Sequence, residues 1–125
     1  MTGIDIVKID RIEKLLERHR EKALRRFLHE EEIVLAKSAE SVAGLYAAKE
    51  AVAKALGHGI SATCGFHDIK IHKDQNGAPY FTLKREIVER FQIKSCDLSI
   101  THDGGFAIAV VFIQSTHSFK REICH

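Results

Sequence analysis

The chain has 125 residues, of which 45% are hydrophobic and 29% are charged, and its formal net charge is +2. This length fits one packed domain and is too short for two ordinary ones. The near-neutral charge argues against general nucleic-acid binding, and no apolar run approaches the roughly 20 residues that a membrane helix needs.

The N-terminal part of the chain predicts one strand and then a long helix. Residues 3–9 alternate in the manner of a strand, with an acid inside them, which is not typical of a signal peptide. Asp10 is predicted to cap the following helix, with Glu13 as its capping-box partner. The apolar stripe of this helix lapses at His19, so we expect a break there, before an acidic turn at residues 30–32.

The first helix is also the basic part of the chain. From Lys8 to Arg26 there are eight Lys or Arg residues and four acids, so this segment carries +4 and the remainder carries −2. A basic helix on a near-neutral body suggests an acidic partner, although a solvated helix face explains the charge alone. The residues that recur at three- and four-residue steps share one predicted face: Arg11, Lys14 or Leu15, Arg18, Lys22 and Arg25.

The middle of the chain predicts the main helix of the fold. A helical signal over residues 31–36 precedes an alanine-rich helix at about residues 41–56, which Gly57 ends. Its small side chains allow close approach of other elements. A loop containing glycine follows at residues 58–65.

Two hairpins are predicted in the second half. Residues 67–83 form the clearer one, with a turn at Asn76-Gly77 and with Pro79 near the start of the returning strand. A short helix at residues 84–91 leads to a last hairpin, which joins residues 97–101 to residues 106–113 across Gly104-Gly105.

The fold class that these elements predict is α+β. Strands and helices interleave without regular βαβ units, which favours a single compact domain with a largely antiparallel sheet packed on the alanine-rich helix. We place this domain at residues 1–113 and a polar tail at residues 114–125. The three cysteines, Cys64, Cys96 and Cys124, form no CxxC pair, which is typical of a reducing compartment, so we expect a cytoplasmic protein.

Three charged residues lie inside otherwise apolar elements. Asp5 interrupts the first strand, where a buried carboxylate would need a cation or several hydrogen-bond donors, although an edge position facing water explains it equally well. Glu50 and Lys54 are neighbours on one face of the main helix. That spacing is usually a surface ion pair, but their small apolar neighbours predict an interior helix. Paired carboxylates beside substrate phosphates are a common way to hold Mg²⁺.

Two histidines lie next to this pattern. His58 follows the main helix within Gly57-His58-Gly59, which is not a Walker loop, although its backbone N–H groups could approach a phosphate. His102 follows an apolar strand, where a turn histidine is the more common explanation. None of the histidines has the spacing of a metal motif such as HExxH.

Taken together, these segments resemble the holo-[acyl-carrier-protein] synthases, the small bacterial type of 4′-phosphopantetheinyl transferase. The resemblance runs over about residues 3–112 and departs mildly at Ile4, where the family usually has Thr or Leu. It is carried by GIDIV at 3–7, Arg11, AGLYAAKEAVAKALGHGI at 43–60, HDIKIHKDQNGAPY at 67–80 and LSITHD at 98–103.

The resemblance implies an activity and its catalytic residues. The 4′-phosphopantetheine group of coenzyme A would pass to a serine of apo-acyl carrier protein, giving holo-acyl carrier protein and adenosine 3′,5′-bisphosphate, in support of fatty acid biosynthesis. Asp5 and Glu50 would hold Mg²⁺, and Lys54 would meet the coenzyme A phosphates. The base that takes the serine proton stays open between Glu50, Asp5 and a metal-bound water.

The resemblance also implies a homotrimer with active sites at the subunit interfaces. The carrier protein would dock on the helix that carries Arg11, Leu15 and Arg18. The residues implied to line the nucleotide are Gly57, His58, Gly59 and Ile60 from one subunit and Pro79, Ser99, Thr101 and His102 from its neighbour.

Two other functions stay open on the sequence. A Mg²⁺-dependent hydrolase of a nucleotide pyrophosphate would use the same acids with water as the nucleophile. A non-enzymatic adaptor for an acidic protein would use only the basic helix and would depend on neither Mg²⁺ nor coenzyme A.

Overall fold

In the computed structural model, which describes residues 1–116, strand β1 (Thr2–Lys8) passes directly into helix α1 (Ile9–Phe27). The predicted cap at Asp10 is wrong, because the helix begins at Ile9 and Lys8 occupies the N-cap position, two residues earlier than predicted. Asp10 instead pairs with Lys14 at 3.1 Å. Asp10 lies in the first turn of the helix, where its negative charge interacts favourably with the positive end of the helix dipole.

Helix α1 is broken at the predicted place. His19 has φ −148° and ψ 49°, which is not helical, and the helix then resumes as far as Phe27. The short helix α2 (Glu30–Ile33) takes in the predicted acidic turn and ends before residue 36. Glu32, the last acid of this turn, is completely buried.

Helix α3 (Ala39–Ala55) forms the centre of the fold. It begins two residues before the predicted start because Ser38 caps it, accepting a hydrogen bond from the backbone N–H of Ser41 at 3.1 Å. The helix packs on β1 and on the strands at the C-terminal end of the described chain. Its many alanines are buried in that contact.

The larger sheet has three antiparallel strands in the order β1-β5-β4. Strands β4 (Ile93–Asp103) and β5 (Phe106–Ser115) are longer than predicted. They are joined by the predicted Gly104-Gly105 turn, whose φ values of +58° and +84° favour glycine at both positions. Strand β5 ends two residues past the predicted domain boundary, and the tail from residue 117 lies outside the described residues.

The second sheet is the predicted hairpin of β2 (Ile69–Lys73) and β3 (Pro79–Leu83). Helix α4 (Arg85–Phe91) follows it, as predicted. None of the helices within residues 1–116 has the length and apolarity to cross a membrane.

Gly3 allows β1 to lie directly on α3. A Cβ atom at this position would come within 1.9 Å of the carbonyl oxygen of Ala51 and 2.8 Å of the backbone nitrogen of Ala55. Any side chain would therefore push the strand away from the helix. Asp5 follows on the same face of the strand, so this close contact also places Asp5 against α3.

Candidate active site

One face of helix α3 carries the predicted catalytic residues. Tyr46, Glu50 and Lys54 are spaced four residues apart and therefore lie on the same face. From Val42 to the end of the helix they are the residues that reach solvent, while every other residue is buried. We call Tyr46, Glu50 and Lys54 the α3 strip. It is the part of the helix that can meet a ligand.

Asp5 lies against the α3 strip from strand β1. Its side chain is 14% exposed, and its Oδ1 lies 2.7 Å from Nζ of Lys54, which also donates to the carbonyl oxygen of Ile4 at 3.3 Å. Strand β1 is an edge strand, but Asp5 points at the helix, so the interpretation of a water-facing carboxylate is wrong. The ion pair of Lys54 is with Asp5 and not with Glu50, one turn earlier.

The phenol of Tyr46 links the acids to helix α1. Burial raises the pKa of Tyr46, the charge of Glu50 and a hydrogen bond with it raise that pKa further, and the charge of Arg11 opposes the shift. The hydroxyl therefore stays protonated at neutral pH and can donate to the carboxylate of Glu50. Tyr46 was missed in the sequence, where its four-residue step to Glu50 was the available signal.

A groove of about 660 Å³ opens beside Tyr46. The rings of Phe27, Tyr46 and Phe66 contact one another there, with centroid separations of 5.3, 5.6 and 6.0 Å. The remaining lining comes from α1. We call this cleft the α1 groove, and the three predicted docking residues all line it: Arg11, Leu15 and Arg18.

The basic lining of the α1 groove differs from the predicted stripe after the helix break. Arg25 does not line it and forms ion pairs with Glu21 and Glu30 instead. Arg26 takes its place in the groove. The other residues of the predicted stripe line the groove as far as Lys22, and Arg26 is four residues beyond Lys22, which keeps it on the same helix face.

The loop after α3 has fewer available amides than predicted. The N–H of Gly57 donates to the carbonyl of Lys54 at 2.9 Å, and the N–H of Gly59 donates to that of Ala53 at 3.1 Å. Both amides end the helix, so they are not available to a phosphate while these bonds are kept. The exposed ring of His58 packs against Phe91, at a centroid distance of 6.4 Å.

Comparison with known proteins identifies the family. The 4′-phosphopantetheinyl transferase superfamily matches residues 1–111. The chain belongs to this superfamily. It is 57% identical over 120 residues to the holo-[acyl-carrier-protein] synthase of Sulfurimonas denitrificans, a match that covers 96% of this chain and 99% of that one.

Solved structures agree with this assignment. The Helicobacter pylori holo-[acyl-carrier-protein] synthase in complex with coenzyme A has a TM-score of 0.88 and 50% identity, covering 91% of this chain and all of that one. The Bacillus anthracis enzyme in complex with CoA (3′,5′-ADP) has a TM-score of 0.78 and 36% identity, and the match covers 92% of this chain and 96% of that one. The predicted family and fold class are confirmed. The chain is an enzyme of this transferase class, which excludes the adaptor.

The transferase chain keeps His102 away from the α3 strip. Nδ1 of His102 lies 3.5 Å from Oε2 of Glu40, in the first turn of α3. Glu50 is ten residues further on, which is about 15 Å along a helix. A single chain therefore does not bring His102 to the acids.

The other three residues predicted to come from a neighbour also lie elsewhere in the transferase. Ser99 pairs with Val110 and Thr101 pairs with Ile108, which puts both on the face of the sheet opposite to Asp5. Pro79 starts β3 in the separate hairpin, where it pairs with Lys73.

The donor set of the transferase suits Mg²⁺. Asp5 and Glu50 offer hard carboxylate oxygens at the edge of the solvent. Within residues 1–116, no three Asp, Glu, His or Cys side chains are grouped closely enough to hold a metal. Two carboxylates completed by water and substrate phosphates are the usual arrangement for Mg²⁺, rather than a cage made only of protein.

Proposed function

We propose that this transferase moves the 4′-phosphopantetheine group of coenzyme A onto a serine of apo-acyl carrier protein, with Mg²⁺ held by Asp5 and Glu50. The observation that carries the proposal is the α3 strip, the part that reaches solvent in a helix that is otherwise buried from Val42 to its end, with Asp5 beside it. The crystallised relatives that hold coenzyme A support the choice of donor. The carrier protein named for the relatives supports the acceptor and a role in fatty acid biosynthesis.

In the proposed reaction the serine oxygen attacks the phosphorus that bears the pantetheine arm. The bond from that phosphorus to the oxygen of adenosine 3′,5′-bisphosphate breaks, and the serine proton passes to a base. Glu50 and Asp5 are the carboxylates of the site that can accept it. A bound Mg²⁺ would neutralise charge on the pyrophosphate, and such transfers depend mainly on positioning and charge neutralisation.

Lys54 can either pair with Asp5 or bind a phosphate of the substrate. Its ammonium is half exposed and neutralises Asp5 at 2.7 Å. When Asp5 takes up a cation, the same ammonium can turn to a substrate phosphate, because a lysine carries its charge on a flexible stem. We assign Lys54 to the phosphates of coenzyme A for this reason.

The α1 groove is the proposed docking surface for the carrier protein. Its wall carries Arg11 and Arg18 with the apolar side chain of Leu15 between them. Acyl carrier proteins are acidic, and opposite charge speeds encounter and fixes orientation. The groove reaches Tyr46, one helical turn from Glu50, so a carrier bound there could present its serine to the acids.

The proposal includes a homotrimer with active sites shared between subunits. The outer face of the three-stranded sheet exposes four large apolar side chains, which soluble monomers seldom group together. They are Ile4 at 62%, Ile6 at 59%, Val110 at 46% and Phe112 at 54%. A second copy of the chain on this face would cover them.

The placement of Ser99 and Thr101 supports the same assembly. Both lie on that outer face beside the apolar patch, while the α3 strip lies on the other side of the sheet. If these residues and His102 line the nucleotide, they must do so in the site of a neighbouring subunit.

We also propose a cytoplasmic location, because the cysteines of the sequence form no CxxC pair, which is typical of a reducing compartment.

Chromatographic analysis of coenzyme A tests the proposed function. With Mg²⁺ and apo-carrier protein, one adenosine 3′,5′-bisphosphate should appear for each carrier consumed. Without the carrier, coenzyme A should persist. Cleavage of coenzyme A at the same rate without the carrier would identify a pyrophosphate hydrolase, and no cleavage in any mixture would contradict both activities.

A further inference from the structure

Lys49 is a completely buried lysine with three fixed acceptors. The side chains of Lys49 and Glu32 are both 0% exposed, and Nζ lies 2.7 Å from Oε1 of Glu32. Nζ also donates to the carbonyl oxygen of Phe27 at 2.8 Å and to that of Phe66 at 3.0 Å. Each of the three ammonium protons therefore has an acceptor.

Glu32 is equally engaged. Its Oε1 also accepts from the backbone N–H of His29 at 2.6 Å, and its Oε2 accepts from that of Ile71 at 2.8 Å. The pair thus joins the end of α1, helices α2 and α3, the turn at Phe66 and strand β2. A buried ion pair is weak evidence for stability, because apolar replacements of similar volume are often as stable. Stability alone does not explain why the pair is here.

The segments that Lys49 holds are the two sides of the α1 groove. Phe27 and Phe66, whose carbonyls it binds, contribute two of the three aromatic rings in the groove. Their centroids are 6.0 Å apart, and Tyr46 contacts both. Lys49 therefore fixes the distance between two backbone segments that are 39 residues apart in the chain.

We propose that Lys49 and Glu32 are positioning residues that set the shape of the α1 groove for the carrier protein. The inference rests on the proposed function, since it concerns the docking of that acceptor. Neither residue reaches the groove, so both act through Phe27 and Phe66. Asp5, Glu50 and Lys54 have no hydrogen bond to either residue in the described part of the chain. Loosening the pair should therefore weaken carrier binding and spare coenzyme A.

The test is the double variant Lys49→Met/Glu32→Gln, assayed as the full chain. Methionine keeps the bulk of the lysine stem, and glutamine keeps an oxygen acceptor for the amide of Ile71, so neither charge is left buried alone. We expect folded protein by circular dichroism, and a KM for carrier protein raised about 10-fold, since a small misplacement far from the reacting atoms can cost up to 100-fold. The KM for coenzyme A and kcat should stay within about twofold.

Ile87→Ala is the matched control. Ile87 is buried in α4 and does not line the α1 groove, so its truncation lowers stability without changing the groove. At a temperature where both variants are folded, this control should keep the wild-type KM for carrier protein.

The outcomes separate the inference from the proposed function. A folded double variant with unchanged KM for the carrier, or with both KM values raised together, would overturn the inference. If the double variant is unfolded, Glu32→Gln alone decides in the same way, because it removes the charge that holds the ammonium of Lys49 at 2.7 Å and so loosens the bonds of Lys49 to Phe27 and Phe66 without deleting them. Here a smaller rise in the carrier KM is expected, and no rise counts against the inference. Absence of transfer by the wild-type chain would instead refute the proposed function.

Discussion

Asp5 and Lys54 show how two residues far apart in the sequence come together at the candidate active site. They are 49 residues apart and meet at 2.7 Å because β1 lies directly on α3. Asp5 is nearly buried and Lys54 is half exposed. Within residues 1–116 the ion-pair partner of Asp5 is Lys54, whose charge sits on a flexible stem, so Asp5 can exchange that partner for a metal ion at small structural cost.

Asp5→Asn and Glu50→Gln should each lower transfer by about 100-fold or more, because a metal held at the pyrophosphate supplies several kcal/mol of charge stabilisation. The loss should be greatest at limiting Mg²⁺, as measured by kcat over a Mg²⁺ titration. Asp10→Asn is the control, since Asp10 pairs with Lys14 on the exposed surface of α1. A variant of Asp5 or Glu50 that keeps wild-type turnover at low Mg²⁺ would show that its residue is not a ligand.

Lys54→Met should raise the KM for coenzyme A or lower kcat by one to two decades, since a charge-assisted phosphate contact is worth about 1.5–3 kcal/mol. Magnesium binding should persist. The matched control is Lys70→Met, which removes a surface lysine that lies 3.5 Å from Glu31. Kinetics like those of wild type would mean that Lys54 serves only as the partner of Asp5.

At the scale of the elements, the sequence predicted those features that depend only on residues close together in the chain. The Gly104-Gly105 turn, the β2–β3 hairpin and the break at His19 were all predicted, because glycine, turn residues and a lapse in apolar spacing act within a few residues. The burial of Glu32 was not predicted, because its partner Lys49 is 17 residues away and no local pattern marks the pair. Arg25 was placed on the groove face by its three-residue step from Lys22, whereas the residue at the four-residue step, Arg26, is the one that lines the groove.

The family resemblance named the residues of the candidate site, but the sequence did not predict which of them contact one another. The sequence suggested Glu50 and Lys54 as partners on one helix, whereas the structure pairs Lys54 with Asp5. Strand–helix contact of this kind depends on Gly3, whose importance is visible only when the backbone of α3 is in place. The roles assigned to Asp5 and Glu50 in holding a metal stay predictions.

Gly3→Ala tests the contact between β1 and α3. A methyl group would meet the carbonyl oxygen of Ala51 at 1.9 Å, so the strand must move. Overpacking of this kind costs about 1–3 kcal/mol and sometimes more, which should lower the urea midpoint of unfolding and displace Asp5. Gly65→Ala is the control, since its Cβ would have its nearest neighbour at 3.6 Å. Wild-type stability and activity of Gly3→Ala would contradict the described packing.

Arg11→Glu and Arg18→Glu should raise the KM for carrier protein and leave the KM for coenzyme A nearly unchanged. The effect should weaken with salt, because exposed charges are screened over about 8–10 Å at ordinary ionic strength. Arg25→Glu is a sharp control on the same helix, since Arg25 lies outside the α1 groove. Equal effects of all three reversals would point to general charge rather than to docking in the groove.

At the scale of the whole molecule, the single chain leaves two features incomplete. The outer face of the three-stranded sheet is apolar and exposed, and His102 lies at the opposite end of α3 from Lys54. The proposed homotrimer would account for both, because one contact would cover the patch and bring residues of β4 to a neighbouring site.

Sedimentation equilibrium should give a trimer, and Phe112→Asp should dissociate it with loss of activity, because a charge would be buried in the interface. Val34→Asp is the control, since Val34 is 69% exposed but lies outside the sheet. Mixing Glu50→Gln chains with His102→Ala chains should restore part of the activity if each site draws on two subunits. A fully active monomer would refute the assembly.

The central claim, group transfer to a carrier protein, is tested most directly by the intact mass of that protein. Apo-carrier protein incubated with the enzyme, coenzyme A and Mg²⁺ should gain the mass of one phosphopantetheine group. A carrier whose acceptor serine is replaced by alanine should gain none. An unchanged mass of the apo-carrier under these conditions, with folded enzyme present, would contradict the account.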